Sequence, residues 1–326
     1  MAAPIISPNE PFPRPDNKAS ATTSHRQGNF VITSRKLPIS KAGPIDAMER
    51  SLGIPVPEMI FGDNVVGVRH VPTGWAVEFN AYDALDGVDK TDKNMLQVAY
   101  ARSWSASREQ TSAGIKDVVK PYDWSYSTTY RGTVTSTPSL PPPPPPQPSS
   151  ASTPTSASTT TTTDTPADTD SKEAQQQLKE KDAPKTFEFQ PTDQPIPLEL
   201  LKRRDPILFF DDVMLYESEL DDNGISVLSV KVRVHERRML LLARLLMRLD
   251  NVLVRVRDTR VYVDFAADRV TREYTARELG FEDVKRKLLM TGLVPDAVTA
   301  ALRDANQFAD LLPTVEHTLE SVSLRS

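Results

Sequence analysis

Cysteine is absent from this chain, glycine is scarce at 12 of 326 residues, and only four histidines are present. Without cysteine there can be no disulfide, no thiolate nucleophile and no zinc–thiolate site, a composition that fits a reducing compartment. The histidines, at 25, 70, 235 and 317, are too far apart to form a metal-ligand pair by spacing. No run approaches the roughly 20 apolar residues that cross a bilayer. The opening "MAAPIISPNEPFPRPDNK" lacks the basic region and continuous apolar core of a secretion signal. A net charge of −5 argues against a nucleic-acid surface. The expectation is a soluble protein of the cytoplasm, with the nucleus as a second location, acting on neither nucleic acid nor membrane.

Catalytic motifs are missing as well. "GDNVVGVR" has the glycine spacing of a P-loop, but Val68 and Arg69 stand where the lysine and hydroxyl should follow. "ELDDNGISVLSV" imitates half of a calcium loop, yet begins with Glu219 and has Val230 at the bidentate glutamate position. It reads better as a turn between strands. No Gly-x-Ser-x-Gly elbow occurs. The carboxylate pair Asp211-Asp212 falls on adjacent strand residues, which point to opposite faces. These readings favour a protein that is not an enzyme and has no metal or cofactor, with a carboxylate-dependent hydrolase on an unfamiliar fold as the alternative.

What is abundant is proline, 28 residues in all, and much of it lies in two segments of low apolar content. Residues 1–27 read as a disordered tail. Residues 135–185, including six consecutive prolines and a Ser/Thr-rich run, read as a disordered insert that cannot bury enough apolar surface to offset its ordering entropy. The proline run is either a spacer or a ligand for an SH3 or WW domain, which would make the chain a scaffold. The insert divides one domain into residues 28–134 and 186–326.

Within that domain "GPIDAMERSLG" predicts a short helix closed by Gly53. "GWAVEFN" predicts a half-buried strand with Trp75, Val77 and Phe79 on its inner face, and "DWSYSTTYRG" a second with Trp124, Tyr126, Thr128 and Tyr130 on one side. "DPILFFDDVMLYESELDDNGISVLSVKVRV" predicts two strands around "DDNG", with Leu228, Val230, Val232 and Val234 facing one way. "MLLLARLLMRL" places Arg244 and Arg248 on one face of a helix, although a short apolar run is ambiguous. "VLVRVRDTRVYVDF" predicts a hairpin with Asp258 in its turn. Its arginines 255, 257 and 260 read as a solvated strand face of mixed charge, a pattern that also suits a protein-recognition edge. Thr275 and Glu278 form a capping box before a helix, and "PDAVTAALRDANQFADLL" and "TVEHTLESVSL" read as further helices. The sum is α+β: a mainly antiparallel β-sheet core with flanking and C-terminal helices, interrupted by the long insert.

Five blocks carry a resemblance: "PEMIFGDN", "FNAYDAL", "KPYDWSYSTTYRGT", "DDVMLYESELDDNGISVLSVKVRV" and "RLDNVLVRVRDTRVYVDF". In this order they resemble the TIPRL family, the TIP forty-one-like regulators of TOR signalling, over roughly residues 30 to 280. The resemblance implies a non-enzymatic regulator that binds the catalytic subunit of type-2A-like protein phosphatases, including its carboxy-terminal tail, and modulates or inhibits it. In fungi it also implies a link to the Tap phosphatase-binding protein. Four positions inherit phosphatase contact from it. Ile196 and Val256 would offer an apolar bed for the tail, and Asp83 and Asp258 would orient it through basic or backbone donors.

Overall fold

The computed structural model describes residues 17–90, 122–136 and 187–325. Its strands form two antiparallel sheets. The five-stranded sheet has the order β1-β2-β4-β5-β6, built from Thr22–Gln27, Phe30–Arg35, Val65–His70, Trp75–Asn80 and Thr133–Ser136. The eight-stranded sheet has the order β3-β8-β9-β10-β11-β12-β13-β7. Its strands are β3 (Met59–Ile60), β7 (Gln190–Pro191), β8 (Phe209–Ser218), β9 (Gly224–Val234), β10 (Arg238–Leu249), β11 (Leu253–Asp264), β12 (Arg269–Gly280) and β13 (Thr314–Ser323). Helices are short: α1 (Asn17–Ser20), α2 (Ala42–Leu52), α3 (Ala81–Asp86), α4 (Leu198–Leu201), α5 (Phe281–Met290) and α6 (Pro295–Ala301). The class is α+β and mainly antiparallel, as expected.

One inner face of each sheet supplies the main core. Phe30, Ile32, Val66, Trp75, Val77 and Phe79 of the smaller sheet join Val230, Val232, Leu241, Met247 and Val261 of the larger in one buried cluster. The predicted faces of β5 and β9 are among these residues. The α2 helix closes on Gly53 in the left-handed region at φ 73°, where its N–H caps Glu49. The "DDNG" segment is a turn, with Leu220, Asp221 and Asp222 all at positive φ. Gly224 at its end is required sterically, since a Cβ there would lie 1.9 Å from the Arg248 carbonyl oxygen. Asp211 and Asp212 do diverge. Asp211 meets Ser34 of β2 and Lys36 just after that strand, whereas Asp212 pairs with Lys231 at 3.0 Å.

Several expectations are corrected. Part of the assumed tail is structured, because residues 22–27 pair with β2 along their whole length. Residues 1–16 and 137–186, which hold the rest of the tail and the proline-rich insert, lie outside the described residues. "DWSYSTTYRG" is not a strand. It is irregular chain with one bridge, Val88 to Thr128, and Tyr126 at φ 54°.

"MLLLARLLMRL" is strand β10. Met239, Leu241, Ala243, Leu245 and Met247 line the inner face, while Leu246 on the other side lies under a separate helical cover. Apolar side chains needed on both faces hide the period of two. The Thr275–Glu278 segment continues β12, and the helix starts only at Phe281. "TVEHTLESVSL" is β13, so of the three C-terminal stretches read as helix two are wholly or partly so: α5 and α6, the latter followed by two 3₁₀ turns. No described helix is long and apolar enough to cross a membrane.

A charged trench on the outer face of the larger sheet

The strand carrying Asp258 does not turn there. β11 runs unbroken for twelve residues, pairing with β10 on one side and β12 on the other. The reversals come at Asn251 (φ 62°) and Asp268 (φ 45°), where short polar side chains tolerate the left-handed region. Asp258 is therefore a mid-strand residue. Parity then separates the β11 side chains: 253, 255, 257, 259, 261 and 263 face the smaller sheet, and 254, 256, 258, 260 and 262 face outward.

The outer face is covered at both ends. At one end Leu246, Val254 and Val256 lie in a second buried cluster with Phe281, Val284 and Leu288 of α5, Val298 and Ala301 of α6, and Phe308. At the other end the chain between β7 and β8 must pass from one side of the sheet towards the other. Gln194 on this strap meets the outward Arg269. Leu201 farther along lines a groove with outward-facing Phe210, Leu240 and Leu242. The strap thus crosses the outer face, with Ile196 (4% exposed) within it.

Between the two covers lies a polar band. Strand register places Arg244, Asp258, Thr275 and His317 in one row across β10 to β13. Arg244 donates through Nε and Nη2 to the two Asp258 oxygens, each at 2.7 Å, and through Nη1 to Asn306 at 2.7 Å. Arg277 and Arg260 stand at 3.7 and 3.9 Å from Asp258 Oδ2. Arg260 also pairs with Glu273 at 3.0 Å, and His317 with the same carboxylate at 3.1 Å. Three guanidiniums therefore surround one carboxylate that is 1% exposed.

Burial opposes the charge on Arg244, and the bidentate Asp258 carboxylate outweighs it, holding the guanidinium above its ordinary value. Burial likewise pushes Glu273 up, but its bonds to His317 and Arg260 prevail and leave it below the usual carboxylate range.

The four residues expected to meet a partner fall into two places. Ile196, Val256 and Asp258 belong to the outer face of the larger sheet, but as covered or paired residues. Val256 is 0% exposed beneath the helical cover, and both Asp258 oxygens are engaged inside the chain. Asp83 is on α3 at the end of β5. Asn80 caps that helix, accepting from the Asp83 N–H at 2.8 Å and donating to its Oδ2 at 2.8 Å, and Thr133 donates to the same oxygen.

Arg244, Arg260 and Arg277 gather around Asp258, a grouping that sequence pattern does not bring together. Arg255, Arg257 and Arg260 read as one stripe, but parity turns the first two inward. Arg277 was hidden within a presumed helix cap. No group of three or more His, Asp or Glu side chains among the described residues is placed to hold a metal ion.

Residues 59–285 match the TIP41-like family. The type 2A phosphatase activator TIP41 of Saccharomyces cerevisiae is 32% identical over 98% of this chain and 78% of its own length. The TIP41-like protein of Homo sapiens is 36% identical over 78% of each chain. The type 2A phosphatase activator tip41 of Schizosaccharomyces pombe is 27% identical over 89% of this chain and 94% of its own length. With its family segment running from β3 into α5, this chain belongs to the TIP41-like family.

Proposed function

We propose that this chain is a non-enzymatic regulator that binds the catalytic subunit of a type-2A-family phosphatase through the trench and modulates its activity within TOR signalling. Two curated relatives are named type 2A phosphatase activators, which supports a phosphatase as the partner. The observation that carries the location is the surplus of guanidinium at Asp258. Among the described residues Arg277 has one ion pair, to the shared carboxylate at 3.7 Å, and Arg260 divides itself between Asp258 and Glu273. Such a floor suits carboxylate groups on a peptide, since Arg presents paired donors that match a carboxylate's two oxygens.

In this reading Asp258 sets the arginines in place, and Val256 and Ile196 fix the covers that wall the trench. Asp83 would make a separate contact from α3. Binding in the trench would orient the phosphatase tail, and the Tap protein would compete for or share that phosphatase.

The test is calorimetric titration with a purified type-2A catalytic subunit. The wild type is compared with the Arg260→Ala, Arg277→Ala double variant and with Asp83→Leu, each checked for unchanged thermal unfolding. Loss of at least about tenfold in affinity by the arginine variant supports the trench. Undiminished binding by that variant moves the contact elsewhere, and no binding by the wild type overturns the reading.

A further inference from the structure

A second cationic site lies at the far end of the larger sheet, beyond the strap. The β9–β10 hairpin there carries His235, Glu236, Arg237 and Arg238, and the strap passes it with Arg203, Asp205 and Pro206. Together they line a concavity of about 440 Å³. Arg238 is the built part of it. Its side chain is only 8% exposed, one Nη donates to Asp205, and its buried Nε has no hydrogen-bond partner. The side chains of Arg203 and Arg237 make no hydrogen bond or ion pair among the described residues. His235 Nδ1 donates to the Pro206 carbonyl at 2.9 Å, because a carbonyl only accepts.

Three guanidiniums face two carboxylates, Asp205 and Glu236, in a protein whose overall charge is negative. Two exposed, unpaired guanidiniums beside a third that Asp205 holds in place form a donor arrangement that recognises a tetrahedral oxyanion.

His235 also lines a smaller groove of about 160 Å³ with Leu201, Phe210, Leu240 and Leu242. Apolar side chains stand unusually free around it: Phe210 is 53% exposed and Leu208 48%. Cationic pocket and apolar groove thus meet at one residue. A free anion would use only the first, and a flat lipid surface would not reach a concave one. A peptide with a phosphorylated side chain next to an apolar one would fill both.

We propose that this pocket and groove form a docking site for a phosphoserine- or phosphothreonine-containing segment of another protein, with Arg203, Arg237 and Arg238 holding the phosphate and the Phe210 groove taking a neighbouring apolar side chain. The site is separate from the trench and does not depend on phosphatase binding there.

The test uses the full chain and a fluorescein-labelled peptide with one phosphothreonine followed by leucine, beside its unphosphorylated twin. Anisotropy should show the phosphopeptide binding at least about tenfold more tightly than the twin. Arg203→Ala with Arg237→Ala should abolish that difference, and Phe210→Ser should weaken the phosphopeptide several-fold. Both sets of substitutions are at surface positions, and unchanged thermal unfolding checks the fold. Equal binding of the two peptides, or a double variant that still discriminates, overturns the proposal. So does binding only to vesicles containing a phosphoinositide, which would make the site a membrane contact. Phosphatase titration of the same double variant should be unchanged, so failure here is distinguishable from failure at the trench.

Discussion

β11 carries arginines on both faces, and the two sets meet different surroundings. On the inner face Arg255 donates to Glu278 at 2.6 Å and to Ser127 at 2.9 Å, ending in a sealed layer. Arg257 beside it has a buried Nε without a partner, and burial, followed by the Arg255 charge, pulls it below its ordinary value. On the outer face Arg260, with Arg244 and Arg277 from the neighbouring strands, converges on a single carboxylate. Arg255 spends its donors on the fold, whereas Arg260 and Arg277 stand farther from their shared carboxylate and keep donors in reserve. One strand with one residue type therefore lines both the layer between the sheets and the charged outer face, and parity alone decides which.

The comparison breaks most severely at Asp258. Asp258→Leu leaves three half-buried guanidiniums without their shared buried carboxylate and should cost about 3 kcal/mol of stability, the low end for removal of one partner from a buried ion pair. Urea unfolding would measure it, and a loss below 1 kcal/mol would mean that solvent already screens the cluster.

A smaller effect separates the acids of the two faces. Glu273 is held below its ordinary value, so its stabilisation is present above about pH 4.3, the unfolded value, and disappears as pH falls through the lower folded one. Asp123, in the inner layer, is pushed up, first by burial and against its bonds to Ser125 and the nearby arginines. Its contribution is greatest below about pH 3.9 and is lost as pH rises through the raised folded value. The Glu273→Gln variant should therefore approach the parent towards acid pH. Asp123→Asn should gain on the parent as pH rises, while keeping its acceptor for Ser125. Parallel stability curves for both variants would refute the distinction.

The smallest change is expected from Arg257→Met. Exchanging a half-buried cation whose Nε lacks a partner for an apolar side chain of similar length should leave stability within about 1 kcal/mol of the parent or raise it. A loss comparable to that of Asp258→Leu would show that the inner arginines carry as much as the outer ones.

These contrasts mark what sequence pattern can and cannot reveal. The inner faces of β5 and β9 were legible, because a half-buried strand must alternate. β10 was not, because its outward Leu246 is claimed by the helical cover as fully as its inward Leu245 is by the main core. Asp258 looked like a turn residue because "RDTR" is locally polar. Its compensating guanidinium comes from Arg244, fourteen residues earlier and directly opposite in the register. No local window contains that pair. The Arg277 position failed for the opposite reason, since a plausible capping motif competed with strand pairing and long-range register won.

The topology has a further consequence, for growth of the chain. β6 closes the outer side of the smaller sheet and β7 the outer side of the larger. The described chain thus stops after Ser136 and resumes at Phe187, each beside the margin of a sheet. Closure entropy rises only by about 0.6 kcal/mol for each doubling of such a connection. Changing the length of a connection between these two margins therefore costs little, while strands β8 to β13, each hydrogen-bonded to the next in sequence, tolerate no comparable addition within them.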